Sequence, residues 1–196
     1  NGLKVDIPRI VNYIDKEIMK GDIAEAKLFN PDFIIANMHW GLEYERIPSR
    51  EQRELADWLM RQGVDLVIGS HPHVVQPMEL RRGKEGVPDR LVVYSLGNFI
   101  SNMGREHTDG GGMVKVVLDR KGLRRYIVSA QYSLIYSSRY KNEQGKEDIR
   151  VVPAASWSGK NQNSSFSVDS ALIKYVNNTR LFLKSNNKEV EEYIFE

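Results

Sequence analysis

Phe33-Ile34-Ile35-Ala36-Asn37-Met38, then Ser49-Arg50-Glu51-Gln52 followed by Leu55, Ala56, Leu59 and Met60, then Gly63 and Asp65-Leu66-Val67-Ile68, is the stretch that decides the fold. The first run reads as a mostly buried strand. Ser49 to Gln52 has the S-x-x-Q form of a capping box, in which hydroxyl and side-chain amide satisfy orphan backbone donors reciprocally. The apolar residues behind it recur at helical spacing, and Gly63 supplies a left-handed cap. A second short strand follows. Strand, three-turn helix and strand make a βαβ unit, whose right-handed crossover leaves the two strands parallel.

Upstream, Ile10, Ile14, Ile18 and Met19 recur at helical spacing after Pro8, which predicts a helix ended by Asn30-Pro31. Downstream, Val74 to Leu80 reads as a strand with Pro77 at an edge or bulge. Leu91 to Leu96 reads as a buried strand closed by Gly97-Asn98. Met113 to Asp119 and Leu123 to Tyr136 alternate like a hairpin turning at Arg120-Lys121-Gly122. Residues 137–167 are polar and read as loop or linker, and Leu172, Tyr175, Val176 and Leu183 mark a closing helix. The division expected is 1–136 for the main domain and 137–196 for a polar loop and helix packed on it.

The 196 residues suit one domain, and a 41% hydrophobic share is enough for a core. With 28 basic and 26 acidic residues the formal charge is only +2. Non-specific nucleic-acid binding needs clustered Lys and Arg, and here Arg81-Arg82 and Arg124-Arg125 have acidic neighbours. The absence of cysteine excludes disulfides, thiolate metal sites and cysteine nucleophiles. No apolar run approaches the roughly 18 residues of a membrane span. The first residues are Asn1-Gly2 rather than Met, and we expect a fragment of a longer chain.

Three of the four histidines stand where strands end: His39 after the first, His71 and His73 after the second, in Gly69-Ser70-His71-Pro72-His73. In open α/β sheets ligands collect outside the carboxyl ends of parallel strands. Pro72 keeps His71 out of helical geometry, and in an extended segment residues i and i+2 share a face. Imidazoles so placed, about 6.5 Å apart, do not easily share one tetrahedral ion but suit two ions about 3.5–4 Å apart. His107, in a polar glycine-rich loop, reads as incidental. Gly110-Gly111-Gly112 lacks the lysine and following helix of a phosphate-binding loop, and reads as a flexible approach to the hairpin. Ser70 lies in no G-x-S-x-G elbow, which argues against serine hydrolysis.

Three blocks occur in order: His39-Trp40-Gly41-Leu42-Glu43-Tyr44, Gly69 to Gln76 with its G-x-H-x-H, and Tyr94-Ser95-Leu96-Gly97-Asn98-Phe99. Together they resemble the CapA family of bacterial poly-γ-glutamate capsule synthesis proteins, a branch of the calcineurin-like metallophosphoesterases. The likeness is strong over residues 1–103 and weaker to 136. It implies an α/β fold, part of a four-layer α/β/β/α sandwich, with a dinuclear centre of divalent manganese, iron or zinc. By that likeness His39 and His71 would bind one ion and His73 the other, while Glu43 and Asn98 would line the pocket.

The first three motifs of the metallophosphoesterases, which carry bridging aspartates and an Asn-His pair, have no counterpart in residues 1–38. Asp6, Asp15 and Asp22 lack the companion glycines and histidines. Three neutral imidazoles alone would leave the repulsion between two dications uncompensated. The expectation is therefore the carboxyl-terminal part of a longer protein, with its metals complete only at full length and this chain holding an incomplete set or none. The function implied is a metal-dependent hydrolase of capsule or cell-surface polymer assembly, acting on an anionic polymer or phosphoester. It would work beside other capsule-assembly proteins, outside the cytoplasm, anchored through a segment missing here. The alternative is a non-catalytic polymer-binding or scaffold protein whose metal pocket is idle. Tyr136, Tyr140 and Trp157 are candidates for a polymer-contacting surface, with ordinary packing as the simpler role.

Overall fold

Residues 12–84, 88–122, 124–154 and 170–194 are described by a computed structural model, and the βαβ unit organises it. Helix α1 (Lys16–Leu28) precedes strand β1 (Ile35–His39), helix α2 (Arg50–Gln62) and strand β2 (Leu66–Ser70). The capping box at the start of α2 forms as expected: Ser49 Oγ accepts from the Gln52 amide at 3.2 Å, and Gln52 Oε1 from the Ser49 amide at 2.9 Å. Gly63 closes the helix in the left-handed conformation at φ +101°. Strands β1 and β2 pair in parallel, with His39 opposite Ser70.

Strands β3 (Met78–Arg81) and β4 (Arg90–Val93) complete a four-stranded mixed sheet in the order β1-β2-β4-β3, in which only β3 is antiparallel. The strand expected from Val74 is interrupted. Val75 makes an isolated bridge to Leu96, and regular pairing begins only after Pro77, which has no amide proton to give the ladder. Arg81 is paired with Asp57 and Glu79, and Arg82 with Asp89 and Glu189, so this basic pair is neutralised locally.

One face of this sheet packs against α1 and α2 through Ile23, Leu55, Ala56, Leu59, Val67 and Val92. The upstream helix differs from expectation. Asp15 caps it, accepting from the Glu17 and Ile18 amides, so Ile14 lies before the helix and is half exposed, as is Ile18. Ile23, with Met19 beside it, makes the core contact instead. Asp6 and Ile10 lie outside the described residues.

The other face packs against a second sheet of β5 (Gly110–Lys121), β6 (Arg124–Lys141), β7 (Glu147–Pro153) and the short β8 (Glu191–Glu192). Helix α3 (Ser170–Asn186) lies between β7 and β8 in the chain and adds Leu172, Tyr175, Val176 and Leu183 to the same core. The architecture is α/β, in the order helices, sheet, sheet, with α3 against β6. Of the stretch expected to be loop, residues 137–154 are largely strand, and 155–167 lie outside the described residues. Strand β6 runs unbroken past Tyr136 to Lys141, and a turn in which Asn142 Oδ1 accepts from the Gln144 and Lys146 amides returns the chain along β7. The hairpin reads as loop because its strands face solvent and carry polar residues. Tyr136 is buried against Tyr175, the Tyr140 ring lies under Arg150, and Trp157 falls outside the described residues.

The glycine run at 110–112 is not a flexible approach. A Cβ on Gly111 would stand 2.5 Å from the Asn98 carbonyl oxygen and 2.6 Å from that of Leu96. The Asn98 amide donates to Gly110 at 3.1 Å and the Gly112 amide to Leu96 at 2.8 Å. These glycines let the first sheet's Leu96–Asn98 segment lie directly on the second sheet.

Candidate metal centre

Because β1 and β2 are parallel neighbours, their carboxyl ends present His39 and His71 side by side, ring centroids 4.5 Å apart. Two features fix this edge. Trp40, the residue after His39, donates its indole N–H to the Tyr94 carbonyl at 2.8 Å. Gly69 leaves room for that bond, since a Cβ there would lie 2.1 Å from the same oxygen and 2.4 Å from the indole nitrogen.

The route from His71 to His73 differs from the extended segment expected. His71 has φ +103° and His73 φ +61°, so the backbone turns through the left-handed region twice around Pro72. The Pro72 carbonyl accepts from the Tyr44 amide at 2.8 Å, and Tyr44 is itself at φ +68°. The rings still converge, with centroids 6.1 Å apart and planes at 52°. Backbone of this kind costs roughly 1–3 kcal/mol per residue and persists where surrounding structure imposes it, characteristically at functional sites.

His73 is held at one nitrogen. Its Nδ1 lies 3.0 Å from Asn98 Oδ1, and Asn98 Nδ2 donates to the Thr108 carbonyl at 3.0 Å. With the amide NH2 committed to a carbonyl, Oδ1 must be the acceptor, so in the neutral ring Nδ1 carries the proton and Nε2 the lone pair. That lone pair faces Glu43, whose Oε1 is 3.8 Å from Nε2. One ligand atom from each of Glu43, His71 and His73 lies within 4.8 Å of the others. Desolvation, then the neighbouring His39, lowers the His71 pKa, so its imidazole is neutral and free to donate at neutral pH.

The chemistry of this donor set fits one divalent transition ion: imidazole nitrogens and one carboxylate oxygen suit zinc, iron or manganese. It does not fit two. Glu43 is the one carboxylate in this group, and a second dication beside the first needs further anionic ligands.

All five residues singled out from sequence are thus neighbours: His39 meets His71, and Glu43 and Asn98 both meet His73. His107 makes no ring contact with them, and burial lowers its pKa. Sequence reasoning did not single out Tyr44, stacked on His73 at 6.0 Å, although it ends the His39–Tyr44 block. It also did not find Thr108 or the cleft of about 540 Å³ that runs from His73 past Asn98 and Ser101 to Glu147 and Asp148.

The bacterial capsule synthesis protein family PGA_cap has a model that matches residues 2–103, a segment that contains His39, Glu43, His71, His73 and Asn98. The chain is 36% identical over 115 residues to the PGA biosynthesis protein CapA of Bacillus subtilis (strain 168), covering 59% of this chain and 28% of that protein. It is 36% identical over 107 residues to the capsule biosynthesis protein CapA of Bacillus anthracis, covering 55% of this chain and 24% of that protein. The matches therefore cover about a quarter of the length of these relatives.

Proposed function

The chain belongs to the bacterial capsule synthesis protein family PGA_cap, and from that premise we propose that it carries part of a metal-dependent hydrolase centre acting on an anionic capsule or cell-surface polymer. The observation that carries this reading is the convergence of Glu43, His71 and His73. His73 Nε2, a ring nitrogen of His71 and a Glu43 carboxylate oxygen would hold one divalent ion of zinc, iron or manganese. His39, against His71, stands ready for a second ion whose remaining ligands must be anionic.

Bound there, such ions supply Lewis acidity, which acidifies water and draws charge from a phosphoryl or carbonyl oxygen. The chain's own residues set the stage for that chemistry. Asn98 fixes the His73 tautomer and ring direction, and Tyr44 covers one face of the ring. The cleft beyond His73 gives an extended substrate room to lie across the centre. The outer edge of β1 pairs with no strand among the described residues and runs directly into His39. A strand added there would bring its own end beside that imidazole. A second reading, polymer binding without turnover, draws on the single carboxylate among these donors.

Among the described residues no helix is long and apolar enough to cross a membrane. Family membership supports work at the cell surface in capsule assembly, with a polyanion as the substrate.

Metal content after purification without chelator or histidine tag separates the two readings. The wild-type chain is expected to retain a transition ion, and His73→Ala to lose it. Asn98→Ala should weaken binding roughly ten- to hundredfold, the usual cost of removing a partner that orients a ligand. Equal metal content in all three, or none in the wild type, would favour the idle pocket.

A further inference from the structure

The Tyr44 ring has two ring-contact neighbours. One neighbour is His73; the other is the Arg105 guanidinium, 4.1 Å from the ring centroid. We infer that Arg105 is the anion-recognising residue of this centre, receiving a carboxylate or phosphate group of the substrate. The inference rests on the metal-centre reading and adds to it the charge of what the centre binds.

Two observations support it. First, the arginine is placed by the same relay that orients His73. Its carbonyl accepts from the Thr108 amide at 3.2 Å and the Thr108 hydroxyl at 2.7 Å, and the Thr108 carbonyl accepts from Asn98. Its support, Tyr44, is pinned by its backbone N–H, which donates to the Pro72 carbonyl. Contacts of 4.1 Å and 6.0 Å therefore bound how far the guanidinium can stand from the His73 ring.

Second, the charge is uncommitted. Among the described residues no carboxylate lies within ion-pair distance of Arg105. The adjacent Glu106 is turned to Lys174, at 3.5 Å. A guanidinium lying on an aromatic face uses its plane for that contact and keeps its N–H edges for a bidentate oxyanion.

Carboxylate and phosphate share this chemistry, and the test separates them. The intact chain, with and without zinc, is titrated with inorganic phosphate, glutarate and neutral glutaramide, reading the Arg105 side-chain N–H and Tyr44 ring resonances. The expected result is that phosphate or glutarate shifts these signals. Arg105→Gln should weaken the tighter anion roughly ten- to hundredfold, the range of hydrogen bonds to charged groups. Arg105→Lys should recover part of the loss, and glutaramide should bind no better to the wild type than to the variant. Zinc affinity should be the same in all three proteins. Preference for phosphate identifies a phosphoryl group, and preference for glutarate a carboxylate. Anion affinity unchanged in Arg105→Gln, or no anion response in the wild type, would overturn the inference while leaving the metal centre standing. Arg105-dependent anion binding in a chain that takes up no zinc would sink the metal reading and leave the anion site.

Discussion

His71→Gly is expected to do two opposite things: to remove metal binding and to stabilise the metal-free fold. The imidazole is one of three converging donors, so its loss should weaken the metal by more than the roughly hundredfold upper range for an outer-shell partner. The backbone at this position has φ +103°, which glycine adopts at little cost and a side chain does not. Relief of that strain, set against glycine's greater freedom in the unfolded chain, should leave a net gain of about 1 kcal/mol. Zinc titration and thermal melting of the metal-free protein read the two effects separately. His71→Ala, which keeps the strain, should lose the metal without the gain. A His71→Gly protein that binds zinc like the wild type would remove His71 from the centre. One that is also destabilised would show that the left-handed turn is not a stored strain.

Gly69→Ala should be among the most damaging single-methyl changes at the described glycines. The added carbon would meet the Tyr94 carbonyl oxygen at 2.1 Å and the Trp40 indole nitrogen at 2.4 Å. Neither neighbour can yield cheaply, because one is backbone beside β4 and the other is a buried indole bonded to it at 2.8 Å. Forcing them apart breaks that bond and pushes apart the parallel edge that carries His39 and His71. A loss of roughly 3 kcal/mol or more is expected, which for a domain of this size lowers the melting temperature by about 10 °C. Thermal denaturation followed by circular dichroism measures it. A shift within a degree or two would mean that the segment after β2 is looser than its packing indicates.

The contrast between these two positions shows what could be read from the sequence. Gly69 belongs to the G-x-H-x-H block, and the strands on either side of α2 were legible because local signals agree: the Ser49–Gln52 box, the apolar stripe and Gly63. Once β1 and β2 are parallel neighbours, the histidines at their carboxyl ends come together, so the meeting of His39 and His71 followed from topology. How His71 and His73 converge did not. A proline restricts the residue before it only to non-helical geometry, and the left-handed turns observed depend on the Tyr44 amide reaching Pro72 from a distant loop.

The misread segments have the same cause. Ile14 and Ile18 have the spacing of a helix face, but Asp15 starts the helix one residue after Ile14, and packing on α2 chooses Ile23. The β6–β7 hairpin lacks an apolar rhythm because it is solvated, and tertiary pairing alone makes it a strand pair. Arg105 lies in the irregular segment between Asn98 and β5, where neither period nor motif marks it. Only the position of the Tyr44 ring does so.

The central claim is that the imidazoles of His71 and His73 act as ligands to one ion together with Glu43. It is tested most directly by following the ring nitrogens of all four histidines by long-range proton–nitrogen correlation during zinc titration of the intact chain. The account predicts that His71 and His73 respond together at the first equivalent, His73 through Nε2 with Nδ1 still protonated, while His107 stays unchanged. His71 and His73 responding at different zinc concentrations, or His73 binding through Nδ1, would contradict it.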